Sequence, residues 1–432
     1  MAKVLNFLGR IVGIAFEWLL LLVLLLAFVV RFPSVQSFFA RQATSYLSSE
    51  LNTTVKLDQL EIVFLNKIAL KGLMVKDLKK DTLISVDELL VTLDELKILK
   101  NEFTIDQVSL KKGKLNLQRD KKTGEYNYAF IQDYFGSSNQ KSTKSKPIKL
   151  DLKRLSLVDF HIKYDDNRQY TLPYGVDYDH LELKNVQLLA TKFKVRGNDL
   201  AFSLDNLRFT ERSGIKIKHI AAHVAILSKG LHLRNFHVET ARTSIHFPKF
   251  NFDFADWSAF DSFDDQVIFD AQLAPSVIHL ADISYFAPEL KGMSDRIALS
   301  GSISERLRNL TIRDLNLRFG KESYLKGDLV LPDFRLGDDG RLNEVIRDAR
   351  ISVADLAALK MPEGVAQIDL GSTVDMLAFA KIKGLKMKGN LRTFNIQLKK
   401  AETAIGEVHL VTAMKLERRT DGIALSPVNK DT

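Results

Sequence analysis

From residue 51 onward the chain alternates apolar and polar residues, and the alternation breaks in the same manner again and again. Two apolar residues separated by one position are followed by two mostly polar residues or a glycine, then by two more apolar residues separated by one. The windows are Ile68 and Leu70 then Leu73 and Val75; Phe103 and Ile105 then Val108 and Leu110; Leu150 and Leu152 then Leu155 and Leu157; and Leu181 and Leu183 then Val186 and Leu188. Further along come Phe202 and Leu204 then Leu207 and Phe209; Leu231 and Leu233 then Phe236 and Val238; and Leu310 and Ile312 then Leu315 and Leu317. Ala380 and Ile382 then Leu385 and Met387 form a weaker eighth.

A two-residue period is that of a strand with one dry and one wet face. The central pair shifts the phase by one, which in a straight strand would send the second apolar pair to the wrong face. A β-bulge absorbs the extra residue and keeps one face apolar, so the windows predict bulged strands, with a two-residue turn as the alternative. Window starts lie 21 to 79 residues apart, which excludes a strict solenoid and describes a meander with loops of varied length. Strands recurring every ten to fifteen residues over about 370 residues imply roughly 25 to 30 of them. A single sheet of that size must curl or split. The expected fold is mainly β: a long, twisted, predominantly antiparallel sheet curled into an elongated groove.

The chain begins differently. Ile11 to Val30 reads IVGIAFEWLLLLVLLLAFVV, twenty residues whose length as a helix matches a hydrocarbon layer of about 30 Å. No small-residue cleavage site follows, which favours an uncleaved signal anchor over a removed signal peptide. Ile11, Trp18, Leu19, Leu22, Leu25, Phe28 and Val30 are the expected anchor residues. Residues 1–10 are placed in the cytoplasm and the long remainder on the other side. Glu17, beside Trp18, sits near the cytoplasmic end and reaches the interface. Pro33 ends the span, and residues 34–49 carry Val35, Phe38, Phe39, Gln42, Ala43, Tyr46 and Leu47 at mostly three- and four-residue spacing. That predicts an amphipathic helix that packs on the following domain or lies along the membrane surface.

Three β segments are expected, at 51–135, 148–279 and 291–432, the last truncated. A flexible Lys/Ser linker (136–147, GSSNQKSTKSKP) and a short helix at 280–290 separate them. The sequence contains no cysteine, which excludes disulfides, thiolate metal sites and a cysteine nucleophile. The net charge of +9 is modest. No phosphate loop, nucleophile elbow, dinucleotide fingerprint or zinc helix is present. His219 and His223 share a face at a metal-compatible spacing, but two histidines on a strand are more simply surface residues. The run Asp253, Asp256, Asp261, Asp264 and Asp265 lacks the glycine and terminal glutamate of a calcium loop. Lysines alternate with Leu and Ile rather than with exposed aromatics, unlike a nucleic-acid surface. The expectation is therefore a non-enzyme without cofactor, metal or nucleic-acid partner.

An anchor, then Pro33-Ser-Val-Gln36 opening a helix, then Val55 to Asp77, resembles the N-terminal portion of the TamB-like (translocation and assembly module) proteins of the AsmA-like superfamily. Leu280-Ala-Asp-Ile-Ser-Tyr-Phe-Ala-Pro-Glu-Leu290, Ile297 to Ile303 and Asn309 to Ile312 are similar to it too. The resemblance covers nearly the whole chain, with Glu305 where a second glycine is expected. It lacks the C-terminal region through which family members meet an outer-membrane partner. It implies an inner-membrane, single-pass protein whose bulk forms a periplasmic β-groove conducting phospholipids toward the outer membrane. The alternative is a scaffold for outer-membrane protein insertion and secretion. The groove-lining, lipid-contacting residues would be Leu70, Leu73, Val75, Ile105, Val108, Leu152, Leu155, Leu157, Leu181, Leu183, Val186, Leu188, Leu204, Leu207, Leu233, Phe236, Ile312 and Leu315.

Overall fold

The computed structural model describes residues 32–64, 66–94, 104–137, 149–331, 340–367, 378–390, 393–408, 414–419 and 422–427. The protein is mainly β, with a long, mostly antiparallel open sheet. It divides into two compact units: Met1–Thr171 with Tyr178–Thr191, and Leu172–Asp177 with Lys192–Thr432. The anchor residues Ile11, Trp18, Leu19, Leu22, Leu25, Phe28 and Val30 lie outside the described residues. Among the described residues, no helix is long and apolar enough to cross a membrane.

The first unit opens with α1 (Pro33–Glu50) and continues through β1 (Val55–Lys56), β2 (Gln59–Phe64), β3 (Lys67–Lys76), β4 (Thr82–Leu93), β5 (Thr104–Arg119), α2 (Ala129–Ser137), β6 (Lys149–Asp166) and the first part of β7 (His180–Arg196). Both β1 and β2 pair with β3, and β3, β4 and β5 form an antiparallel meander. β6 then pairs parallel to β5 and antiparallel to β7. A parallel neighbour cannot be reached by a hairpin. The chain must return the length of β5, about 50 Å at 3.3 Å per residue, through a connection that contains α2. The predicted linker thus begins inside a helix at residues 136 and 137, and its remainder lies outside the described residues.

The second unit is an antiparallel meander. It runs β8 (Asp199–Glu211), β9 (Lys216–Leu227), β10 (Gly230–Glu239), β11 (Ser244–Asp253), β12 (Ile268–His279), β13 (Arg296–Arg306), β14 (Thr311–Phe319), β15 (Ser323–Val330), β16 (Arg341–Ser352) and β17 (Phe379–Asn390). β17 pairs with both β18 (Thr393–Gln397) and β19 (Lys400–Thr403). β20 (Gly406–Val408) follows β19, and β21 (Met414–Arg419) pairs with β18 and with β22 (Gly422–Pro427).

The breaks read from the sequence are real, and they line up. Within the strands of the first unit the left-handed residues are Gly72 (φ 64°), Lys112 (φ 49°), Asp159 (φ 57°) and Asn185 (φ 54°). Register places Gly72 opposite Asp87, Asp87 opposite Lys112, and Lys112 opposite Asp159, while β6 and β7 slip past each other at Asp159 and Asn185. The result is one crease across five strands. The second unit repeats it. The pairing shifts between Leu204 and Leu207 in β8, at Asn235 in β10, at Ala274-Pro275 in β12, at Gly301 in β13, at Asp314 in β14 and at Arg347 in β16. Asn235 and Asp314 have φ 49° and 51°. Pro248 of β11 lies opposite Asn235, and a residue without an N–H belongs where the ladder is already interrupted.

Two of the windows mark a different break from the crease. In β5 and β6 the pairs Asp106-Gln107 and Lys153-Arg154 do shift the register, but the crease itself crosses these strands at Lys112 and Asp159.

One end of the second unit's strands is braced by carboxylates. The predicted helix 280–290 is two separate turns, α4 (Leu280–Ile283) and a 3-10 turn (Pro288–Leu290). From α4 the buried Asp282 accepts hydrogen bonds from Thr240 Oγ1 (2.6 Å), Thr243 Oγ1 (2.8 Å) and Arg242 Nη2 (2.5 Å), tying it to the β10–β11 hairpin. α5 (Val353–Ala358) repeats the device: Asp355 accepts from the backbone N–H groups of Lys321, Glu322 and Ser323 and from Ser323 Oγ at 2.8 to 2.9 Å. Residues 172–177 dock on the same region through Val176 N–H donating to Tyr285 O (2.7 Å) and the Tyr174 and Ser284 hydroxyls 2.7 Å apart.

Candidate functional site: an apolar sheet face

Residues paired across neighbouring strands point to the same face. In the first unit one row runs Leu60, Leu70, Leu89, Leu110, Leu157, Leu188, from β2 to β7, without a polar member. Leu73, Val86, Gly113 and Phe160 make a second row on the far side of the crease, joined by Val186 just before Asn185 in β7, and Val75, Ile84, Leu115, Ile162 and Leu183 make a third. In the second unit Phe202, Val224, Leu233, Phe250, Ala271, Ile303, Ile312 and Leu329 form one row. Leu299, Leu317, Leu325, Ala349, Ile382 and Ala401 form another beyond its crease. The window residues are thus brought to one face within each unit. Ile105 joins it through Leu93, Val108 through Leu155, Leu181 through Tyr164, Leu204 through Ala222, Leu207 through Ile220, Phe236 through Phe247 and Leu315 through Gly327.

That face is only partly covered. Val186 and Leu315 are buried, and all the other predicted lining residues are half-buried. Within each unit the described strands belong to one hydrogen-bonded sheet. The central pairs of the breaks point the other way. Lys184-Asn185, Arg234-Asn235 and Arg313-Asp314 are exposed on the polar face. There Arg347 bridges Asp314 (3.1 Å) and Asp328 (2.5 Å).

The apolar face has two local specialities. At one end of β10–β12 the connection after β11 folds back as a 3-10 turn (Trp257–Ser262) and α3 (Phe263–Gln266). Phe252, Phe263 and Phe269 meet edge to face at 5.0 to 5.8 Å, and Trp257 stacks on Phe260 at 5.5 Å. The other is Glu344, whose row continues through Met387 and Ile396. Burial pushes its carboxyl up, and the Val330 N–H donating to it at 3.3 Å only partly offsets this.

The residues weighed for metals are spent on structure. His219 Nδ1 lies 2.9 Å from Asn206 Oδ1 and His223 Nδ1 3.0 Å from Ser203 Oγ. Asp256 caps the 3-10 turn through the Ser258 N–H, Asp264 and Asp265 face Arg308, and Asp253 meets His232. Among the described residues no group of three or more His, Asp and Glu is placed to hold a metal ion.

No family model, no curated protein and no solved structure matches this chain.

Proposed function

We propose that the protein is a membrane-anchored periplasmic groove that conducts the acyl chains of phospholipids along its apolar face between inner and outer membranes, and so supports outer-membrane biogenesis. The observation that carries this reading is the row-by-row continuity of apolar side chains on a face that stays half-covered. At about 25 cal/mol per Å², leaving such rows against water is costly, and hydrocarbon tails relieve that cost without asking for any directional contact. The resemblance to TamB-like proteins supplies the envelope setting, with Ile11–Val30 as the inner-membrane tether. The reading assigns no reaction and no cofactor.

The test is lipid occupancy and transfer by the full chain. Photocrosslinkers at Leu188 and Leu233 are expected to capture phospholipid, and Leu233→Asp is expected to stop transfer between vesicles while thermal unfolding stays cooperative. Recovery of protein free of crosslinked lipid from both positions would falsify the proposal. The second reading, a scaffold for outer-membrane proteins, draws on β22, which among the described strands pairs with β21, and on the capacity of sheet edges for strand addition. Ala424→Pro would then abolish client capture, whereas Leu233→Asp would leave it intact.

A further inference from the structure

The amphipathic helix is docked by the face opposite to the one its sequence suggests. α1 buries Gln36 and Ala40 and half-buries Thr44 and Ser48, a small and polar stripe at four-residue spacing, beside β1 and β2. Ser48 Oγ accepts the Val55 N–H at 2.9 Å, and Thr53 Oγ1 reaches Lys76 O, locking the helix end to the first strands. At 100° per residue, Phe38, Phe39, Gln42 and Tyr46 lie on the far side. Phe38 is 57% exposed, Phe39 48% and Tyr46 57%. An aromatic stripe on a helix whose only charged residues are Arg41 and Glu50 is poorly suited to water.

What covers it follows from the sequence before it. The apolar run Ile11–Val30 ends three residues short of Pro33. Three extended residues reach about 10 Å, within the headgroup layer that borders a hydrocarbon core. Phe and Tyr on one face of a helix are the residues that settle at that depth. We infer that α1 is an interfacial helix, its Phe38, Phe39 and Tyr46 stripe seated in the lipid headgroup region while its Gln36, Ala40, Thr44 and Ser48 stripe carries the sheet. This rests on the reading of Ile11–Val30 as a membrane span. It adds that the first strands are held flat against the bilayer surface and not on a free stalk.

A chain without cysteine allows single labelling sites. Phe38→Cys, Phe39→Cys, Gln42→Cys, Ser45→Cys and Leu22→Cys would each carry an environment-sensitive fluorophore in the full chain, reconstituted in phosphatidylethanolamine/phosphatidylglycerol vesicles. Quenching is read from nitroxide lipids labelled at the headgroup or mid-chain and from aqueous iodide. Labels at 38, 39 and 42, and at 45 two turns from 38 on the same face, are expected to be quenched severalfold more by headgroup nitroxide than by iodide. Iodide quenching at 38 and 39 overturns the inference, and so does protection from both quenchers, which would mean that protein covers the stripe. Leu22 separates the two readings. Mid-chain quenching there with iodide access at 38 and 39 sinks the interfacial helix alone, and absence of quenching at Leu22 sinks the span beneath it.

Discussion

Lys184 and Asn185 are neighbours in one break, yet the fold asks different things of them. Asn185 is left-handed and Lys184 is not, so Asn185→Val should cost about 1–2 kcal/mol in urea unfolding. Asn185→Gly should be neutral or better, and Lys184→Val should stay within about 0.5 kcal/mol. The second central residue was readable for this reason: Gly72, Asn185, Asn235, Asp314 and Gly384 are all residue types that tolerate positive φ. Lys112 carries no such mark, and its backbone is held by pairing on both sides. Two carboxyls on opposite courses make the pH dependence. Burial works against ionised Asp355, but its four hydrogen bonds prevail and hold the group at about 2 against 3.8. Its stabilisation is fully present above about pH 4 and is lost as pH falls toward 2, so Asp355→Asn should flatten acid unfolding there. Glu344 is raised, so its ionisation opposes folding once pH exceeds its ordinary 4.5. Glu344→Gln should stabilise the protein at pH 7 and make no difference below about pH 4, as read by thermal melting at both values.

Elements show where local pattern suffices and where it does not. Strands β5, β6 and β7 run 16 to 18 residues, each with a break inside it, so a count at one strand per ten to fifteen residues overestimates their number. The parallel β5–β6 pair was hidden because alternation says nothing about direction, and the connection between them reads as a loop in composition. The match between Leu280-Ala-Asp-Ile and Val353-Ala-Asp-Leu was also missed: four residues are a weak signal until the two aspartates are seen bracing hairpins. Packing across the parallel pair is tight. A Cβ on Gly113 would fall 2.1 Å from the buried Phe160 ring. Phe160→Ala should cost about 3–5 kcal/mol, and Gly113→Val should be destabilising unless combined with it, a non-additivity that a double-mutant cycle detects. The breaks have their own arithmetic. Removing Asp314 alone leaves Ile312 and Leu315 in phase, whereas removing Arg313 and Asp314 together turns Leu315 and Leu317 outward. The longer deletion should lower the melting temperature far more, although it preserves the parity of the chain.

For the whole molecule, alternation revealed that one face is apolar but not how its rows connect, since that depends on register. Register in turn is fixed by hairpins whose lengths vary widely, which is why the windows are irregularly spaced along the chain and regular across the sheet. In a hairpin the correction of phase at the crease can sit on one strand alone: β8 shifts and β9 does not, and β14 shifts and β15 does not. A sheet built this way can gain or lose strands in antiparallel twos and still present an uninterrupted hydrocarbon-like surface, because every inserted pair arrives already bent at the right height. The width of such a sheet is therefore a quantity that duplication adjusts in steps of about 10 Å, two strand spacings at a time, with no redesign of the part already made.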